Sequence, residues 1–313
     1  MKLAFGVALL AFASAVHAQG YPSRPIRLVV PFTPGGGTDI IARAIGSHLA
    51  NALGQNVIVD NRPGGNTVIG SEIVARARPD GHTLIMQINN LTALPAMVKG
   101  SPSIEQFSPI SLVAALPHVM VVNKTVSANS IKELVALAKS QPGKLGYATP
   151  GSGTPVHLAA AWFASLAGLD LLHVPYKGAA EYTAAVLGNH VQIVFGSAPL
   201  AVPHVKSGAL KALGVTTAKR IPQLPQVPTI AESGYPGYDI VSWYGLLAPA
   251  KTPNDVVGRI AKEVATAVHA KGFAEALPDY ELIGNTPAEF AAFLRKDAAI
   301  STKIISASGA KAN

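Results

Sequence analysis

The sequence predicts an α/β fold, in which strands alternate with helices and form mostly parallel sheets. Short β-branched runs, such as residues 26–30, alternate with longer segments of helical apolar spacing. Glycine-rich turns follow some strands and precede helices, as residues 34–39 do. The 313 residues, of which 49% are hydrophobic and 13% charged, suffice for two domains and exclude a disordered chain.

The first hundred residues predict a β-α-β-α-β order. A strand at 26–30 is followed by a helix at 40–53, with Thr38 or Asp39 as its N-cap and Gly54 as its stop. Strands at 57–59 and 83–86 enclose a second helix at 68–76.

The rest of the chain continues this alternation. Ser130, followed three residues later by Glu133, predicts a capped helix at 130–140, and Thr286 followed by Pro287 predicts the start of a C-terminal helix. The remaining predicted strands are 119–122, 146–148, 173–175, 191–195, 210–215 and 241–247, and the remaining helices are 156–167, 179–187 and 254–269.

Residues 1–18 have the layout of a secretory signal peptide. A positive start is followed by apolar or small residues at 3–16, and Val16 and Ala18 occupy the −3 and −1 positions of a cleavage site. The apolar run is shorter than the roughly 20 residues of a spanning helix, so a membrane anchor is the less favoured alternative. We therefore expect an exported protein that starts near Gln19.

The net charge of +8 raises the question of an anionic partner. Nucleic-acid binders concentrate Lys and Arg in patches with stacking aromatic residues. Here the basic residues are dispersed, and aromatic residues make up only 6% of the chain, so we expect no nucleic-acid partner. The absence of cysteine excludes a disulfide scaffold, a thiolate metal site and a cysteine nucleophile.

Two glycine-rich loops are candidate ligand sites, at residues 34–39 and 149–155. Glycines let backbone N–H groups approach an anion, and a helix N-terminus favours negative charge. The alternative is a tight turn whose glycines serve only backbone geometry. Ile40 and Val156 stand where a dinucleotide fingerprint requires glycine, and neither loop ends as a P-loop does, so we reject nucleotides.

Motifs of catalysis are missing from the sequence. It contains neither a Gly-x-Ser-x-Gly elbow nor a His-Glu-x-x-His pair, and its histidines are scattered singly. His157 begins the helix after the second loop and is either a ligand contact or a locally satisfied residue. Gln87 and Asn89, after the third strand, are either ligand donors or turn residues.

Several collinear segments resemble the substrate-binding proteins of tripartite tricarboxylate transporters, the Bug-type family. They are residues 21–85, LGYATPGSGTPVHLAAAWF at 145–163, HVPYKGAAEYTAAVLGNHVQIVF at 173–195, residues 207–253 and the C-terminal TPAEFAAFL. The likeness runs from Tyr21 to about Gly309 in order and with similar spacing, which makes it far more specific than either glycine loop alone.

The resemblance implies a periplasmic binding protein fold of type II, the Venus flytrap. Each of its two lobes would be a mostly parallel sheet flanked by helices. Residues 19–122 and 246–313 would form the first domain, and residues 123–245 an inserted second domain. Two hinge crossings would lie around 119–123 and 243–247.

The resemblance also implies which residues bind the ligand. The first loop would contribute Thr33, Pro34, Gly35, Gly36, Gly37 and Thr38, and the second Thr149, Gly151, Ser152, Gly153 and Thr154, with His157 just behind. Lys177, Gly178 and Ala179 would form a third loop. From their positions alone we add Asp39, an N-cap or a counter-charge to a ligand amine, and Gln87 and Asn89 after the third strand. Gly196 and Ser197 match a position where the family often has Asp, which argues against recognition of a ligand amine.

The implied partners are a small carboxylate and, transiently, the membrane subunits of a transporter. The carboxylate would be a di- or tricarboxylate, an amino acid or an aromatic acid. We expect a monomer in the periplasm that uses no cofactor and binds no metal. Two alternatives stay open: docking of the closed form on a periplasmic sensor kinase domain, and a periplasmic enzyme on the same fold.

Overall fold

The computed structural model describes residues 20–308, and the predicted signal peptide lies outside them. The strands are β1 (Ile26–Val30), β2 (Val57–Asn61), β3 (Thr83–Gln87), β4 (Phe107–Asn123), β5 (Gly146–Thr149), β6 (Leu172–Pro175), β7 (Ile193–Ser197), β8 (Leu210–Val215), β9 (Val241–Pro249) and β10 (Glu281–Leu282). The helices are α1 (Gly37–Leu53), α2 (Val68–Ala75), α3 (Asn90–Met97), α4 (Ile131–Ser140), α5 (Pro155–Ala167), α6 (Ala179–Leu187), α7 (Ala198–Lys206), α8 (Asn254–Val268), α9 (Lys271–Ala276) and α10 (Pro287–Ser308).

A mixed sheet connects the whole fold, in the order β2-β1-β3-β9-β4-β7-β5-β6, with β8 and β10 also paired to β4. Within this sheet β1 lies parallel to β2 and β3, and β5 lies parallel to β6 and β7. The connecting strands β4 and β9 run antiparallel to their neighbours. The predicted α/β class is therefore confirmed, with parallel strands on both sides of an antiparallel centre.

Strand β4 is the element that both sides share, and its 17 residues are much longer than the predicted strand at 119–122. From Phe107 to Pro117 it pairs with β9, and from His118 onward it pairs with β7 and then also with β8. We call β1, β2, β3, β9 and β10 the first half and β5, β6, β7 and β8 the second half. The predicted boundaries at residues 122 and 246 stay a prediction.

Separate apolar cores support the two halves. The first half has a cluster on each face of its sheet, one containing Ile41 and Tyr244 and the other Trp243 and Phe290. The core of the second half includes Phe163 and also takes in Ala93 of α3 and Ile304 and Ile305 of α10. Helices α3 and α10 therefore pack on more than one core.

Most predicted elements are confirmed with their ends shifted by a few residues. The predicted N-cap of the first helix is wrong, because α1 begins at Gly37 and Gly36 is its N-cap. Helices α3 and α7 were not predicted, since Pro95 and Pro203 inside them are residues that usually end a helix. No helix among residues 20–308 has the length and hydropathy needed to cross a bilayer.

Candidate functional site

The carboxyl ends of the parallel strands in the two halves point toward each other. Gln87, which ends β3, pairs with Gly245, and Gly245 pairs with Leu112 of β4. From the other side, Ser197, which ends β7, pairs with His118 of β4. The strands of the two halves therefore end about 20 Å apart along β4. We call residues 112–118 of β4 the junction, and the loops that follow both sets of strands flank it.

The first glycine loop opens helix α1 on one side of the junction. Residues 33–36 are exposed, while Thr38 and Asp39 are buried. The first N–H groups of a helix have no intrahelical acceptor, so those of Gly37, Thr38 and Asp39 can bind an anion. Gly36 has φ −80° and ψ 168°, a conformation that places it just outside the helix.

Asp39 holds this loop from within the first turn rather than as an N-cap. Its Oδ2 accepts hydrogen bonds from the N–H of Gly35 and from Nε of Arg43, both at 2.9 Å, and its Oδ1 accepts one from Nδ2 of Asn61 at 3.0 Å. Desolvation opposes the charged form, but hydrogen bonds from Arg43, Gly35 and Asn61 keep the pKa of Asp39 below its usual value. The N–H of Gly35 thus already has an acceptor within the loop and does not point to a ligand.

Two tyrosine hydroxyls lie beneath Gly37. A Cβ on Gly37 would lie 2.8 Å from Oη of Tyr280 and 3.2 Å from Oη of Tyr244. Burial raises the pKa of both tyrosines, and the hydrogen bond between them raises that of Tyr244 and lowers that of Tyr280. The two hydroxyls are therefore hydrogen-bonded to each other beneath the start of α1.

The second glycine loop opens helix α5 on the other side of the junction. Thr154 is its N-cap, and its Oγ1 donates to the carbonyl of Gly151 at 2.7 Å. Gly151 and Gly153 have φ of +125° and +77°, which only glycine adopts without strain. Their N–H groups turn inward, toward Thr149 Oγ1 and His157 Nδ1. Among the described residues no acceptor is recorded for the N–H groups of Ser152 and Thr154.

His157 lies behind this loop and is 2% exposed. Its ring centroid is 4.7 Å from that of His173 on β6, and the His173 ring stacks on Tyr147 of β5 at 5.0 Å. Burial, assisted by the neighbouring His173, lowers the pKa of His157 to about 4. A neutral imidazole is therefore packed against the loop.

Two further predicted segments also follow strands of the second half. Lys177 and Ala179 are exposed, and the N–H of Lys177 donates to Oε2 of Glu181 at 3.0 Å. Gly178, at φ 179°, is the extended residue before α6. Gly196 and Ser197 end β7, and Ser197 is the N-cap of α7 at the junction.

The side chains of Gln87 and Asn89, in contrast, form hydrogen bonds inside the fold. Gln87 is 0% exposed, and its Nε2 donates to Oγ of Ser71 at 2.6 Å. Asn89 donates to the carbonyl of Val241 at 3.0 Å and accepts from the N–H of Trp243 at 3.1 Å. These two residues join the loop after β3 to the first-half core, and their binding role stays a prediction.

The sequence did not point to Tyr280, Met97 or His173 as residues of this region. Tyr280 contacts Gly37 from a segment about 240 residues later in the chain. Met97 belongs to α3, which was not predicted because Pro95 lies inside it. The contact of Arg43 with Asp39 could be predicted from the sequence, since an Arg four residues after an Asp in the first helical turn is a recognisable ion pair.

The arrangement offers backbone N–H donors at two helix N-termini rather than a pair of reacting side chains. Among the described residues there is no group of three His, Cys, Asp or Glu that could hold a metal ion. Such donors suit a carboxylate or another small oxyanion.

Comparison with known proteins identifies the family. Residues 41–309 match the family described as tripartite tricarboxylate transporter family receptor. The chain belongs to this receptor family. Among curated relatives of this receptor, the UPF0065 protein in the tcbD-tcbE intergenic region of Pseudomonas sp. (strain P51) is 41% identical over 87% of this chain and 83% of its own. Protein BugT of Bordetella pertussis is 34% identical over 86% of this chain and 84% of its own.

Solved structures give the same result for the fold of this receptor. A TctC solute-binding protein from Polaromonas, without ligand, is 31% identical with a TM-score of 0.82, over 91% of this chain and 99% of that chain. The R. palustris protein Rpa4515 with adipate is 31% identical with a TM-score of 0.76, over 94% of this chain and 100% of that chain. MatC from Rhodopseudomonas palustris with bound malate is 27% identical with a TM-score of 0.75, over 91% of this chain and 100% of that chain. The predicted fold of a periplasmic binding protein is therefore confirmed.

Proposed function

We propose that this receptor binds a small carboxylate at the junction, in the periplasm, and delivers it to a tripartite transporter in the membrane. Family membership supports the receptor role. Rpa4515 with adipate and MatC with malate, both of which contain dicarboxylates, are similar over 94% and 91% of this chain.

The observation that carries the proposal is the approach of helices α1 and α5 to the junction from opposite halves. The positive end of each helix dipole and its free N–H groups favour a negative charge at the same place. Hydrogen bonds to a charged group contribute roughly 1.5–3 kcal/mol each. Three or four of them total roughly 4.5–12 kcal/mol before ordering costs, a range that includes the roughly 8 kcal/mol of a micromolar complex.

The periplasmic location rests on the chain start and on the family. Residues 1–18 have the order of a signal peptide, and the sequence contains no cysteine, so the fold needs no disulfide in an oxidising compartment. N-terminal sequencing of protein secreted by a bacterial host is expected to begin near Gln19. Retention of Met1 in the membrane fraction would contradict export by cleavage.

Calorimetry and thermal shift against adipate, malate, citrate, benzoate and glutamate test the ligand class. We expect at least one carboxylate to raise the melting temperature and to bind with a micromolar or lower Kd. Protein that gains no stability from any carboxylate, and carries none after purification, would contradict the proposal.

Gly36→Val tests the place of binding. Gly36 is exposed with φ −80°. Within residues 20–308 an added Cβ would meet only the carbonyl oxygen of Thr33, at 3.9 Å, so the fold accepts valine there. The new side chain would cover the start of α1 and weaken binding by tens-fold. Gly258→Val, on an open position of α8, is the control. Equal affinity of both variants and wild type would place the site elsewhere.

Delivery to a transporter is tested by ligand-dependent association. The closed receptor is expected to retain transporter subunits from detergent-solubilised membranes only when ligand is present. Retention of a sensor kinase instead would support the sensing alternative. Turnover of the bound compound by pure protein would support an enzyme.

A further inference from the structure

The two glycine loops are held by the same local construction. Asp39 is the third residue of α1, and its Oδ2 accepts the N–H of Gly35, four residues earlier, at 2.9 Å. His157 is the third residue of α5, and its Nδ1 accepts the N–H of Gly153, again four residues earlier, at 3.3 Å. In each loop a side chain from the first helical turn reaches back and holds a glycine N–H inward.

The two acceptors differ in charge. Asp39 is anionic, and Arg43 one turn later pairs with it at 2.9 Å. The residue one turn after His157 is Ala161, which supplies no countercharge. An uncompensated carboxylate behind the second loop would repel a bound anion, whereas a neutral imidazole accepts the same hydrogen bond without that repulsion.

His173 holds the other glycine of the second loop through Thr149. Nε2 of His173 lies 2.6 Å from Oγ1 of Thr149, and the same Oγ1 accepts the N–H of Gly151 at 3.1 Å. The His173 ring stacks on Tyr147 and contacts the His157 ring at an angle of 47°. One inward glycine N–H is thus bonded to His157, and the other to a hydroxyl that contacts His173.

We propose that His157 and His173 are positioning residues of the second loop, which hold it in its anion-binding shape while adding no charge. Their hydrogen bonds fix the N–H groups of Gly151 and Gly153 inward. The N–H groups of Ser152 and Thr154 are consequently left for the ligand. The histidines act through the loop and do not touch the ligand, and this role in binding rests on the proposed function.

The hydrogen bond fixes the protonation state of His157. Nδ1 accepts only when it carries no proton, so the neutral ring has its proton on Nε2. The titratable groups that face the ring are Tyr147 from β5 and His173 from β6. Helices α3 and α10 also pack on this half, and they contribute Met97 and Ile304, which do not titrate.

Hydrogen exchange of the Gly153 amide in the ligand-free protein is the first test. His157→Asn keeps an acceptor near the position of Nδ1, and His157→Leu keeps apolar volume without one. We expect exchange in the Leu variant to be about tenfold faster or more, and exchange in the Asn variant to remain near the wild-type rate. Equal protection of Gly153 in all three proteins would overturn the proposal, even if the protein proves to bind no carboxylate.

Thr149→Val provides an independent variant if His157→Leu does not fold. It is nearly isosteric and removes the acceptor of the Gly151 N–H. The Gly151 amide is expected to lose protection by a similar factor. An unchanged Gly151 rate would show that the His173–Thr149 contact does not hold the loop.

Adipate binding as a function of pH separates positioning from direct charge contact. As the pH falls through about 4, His157 gains a proton on Nδ1 and can no longer accept from Gly153. Wild type is therefore expected to lose affinity for adipate faster than His157→Asn does. Adipate itself also gains protons in this range, but the ratio of the two affinities at each pH cancels that effect. A wild-type affinity that rises relative to the Asn variant would show that the imidazolium attracts the ligand, and would overturn the proposal.

Discussion

The side chain of Met97, at the end of α3, lies against the α-carbon of Gly153 in the second glycine loop. A Cβ on Gly153 would lie 2.8 Å from Sδ and 3.2 Å from Cε of Met97. Since α3 follows the last parallel strand of the first half, this contact joins the two halves beside the junction. Gly153 thus serves two purposes, a left-handed turn and a close approach.

Gly153→Ala is expected to lower the free energy of unfolding by about 1–2 kcal/mol, because φ is +77° there. It is also expected to weaken carboxylate binding, since Met97 must move. Gly208→Ala is the matched control, because its φ is +74° and no other described part of the chain comes within 4 Å of the added Cβ. Urea denaturation and calorimetry measure both effects. Equal binding by the two variants would show that the Met97 contact does not matter to the site.

Gly245→Ala is expected to destabilise the sheet by about 1–3 kcal/mol. Gly245 lies in β9, between β3 and β4, and an added Cβ would overlap the fully buried ring of Phe290. Gly258→Ala, in α8 with open space around it, is expected to stabilise by about 0.5–1 kcal/mol. Chemical denaturation of both variants should give shifts of opposite sign, and a neutral Gly245→Ala would mean that Phe290 repacks freely.

The local order of strands and helices was predictable because each element carries its own signals. Gly54 ends α1 in a left-handed conformation, and Ser130 caps α4 by accepting from the N–H of Glu133, as the sequence indicates. The full length of β4 was not predictable, because Pro109 and Pro117 lie in its first part and proline within a segment argues against a central strand. Only tertiary pairing with β9 shows that the strand continues.

The glycine loops of the site were predictable, but their internal hydrogen bonds were not. Asp39 has the residue type of an N-cap, and only its reach to Gly35 and Arg43 shows the different role. His173 and Thr149 are 24 residues apart and meet because β5 and β6 pair in parallel. Contacts across strands depend on register, which one sequence does not specify.

Asp39→Asn is expected to remove part of the acid sensitivity of folding. The folded pKa of Asp39 is lowered, so its contribution to stability is fully present above the unfolded value near 3.8 and is lost as the pH falls through the folded pKa. The free energy of unfolding, measured from pH 7 to pH 2.5, should therefore fall less steeply in the variant below pH 4. Asp255→Asn, in the exposed first turn of α8, controls for loss of a carboxylate. Identical acid limbs for Asp39→Asn and wild type would contradict this role.

Asp297 joins α10 to helix α3 and strand β9. Its Oδ2 accepts from Oγ1 of Thr92 on α3 at 2.5 Å and from Nε1 of Trp243 on β9 at 2.9 Å. Desolvation raises the pKa of this carboxyl, although both hydrogen bonds and Lys296 favour the charged form. An acid with a raised folded pKa binds its proton more tightly in the folded state, so it makes stability fall as the pH rises from 3.8 through the folded pKa.

Asp297→Asn is therefore expected to remove this fall and to leave stability at pH 7 equal to or above that of wild type. The amide oxygen of Asn can still accept from Thr92 and Trp243, while the cost of desolvating a charge disappears. Asp297→Ala is expected to lose about 1–3 kcal/mol at every pH, because the indole N–H of Trp243 is left without its acceptor, whereas Thr92 can still donate to the carbonyl of Asn89. Urea titrations between pH 3 and pH 8 distinguish the two variants. If Asn destabilised the protein as much as Ala at pH 7, the negative charge itself would be required to join α10 to α3 and β9.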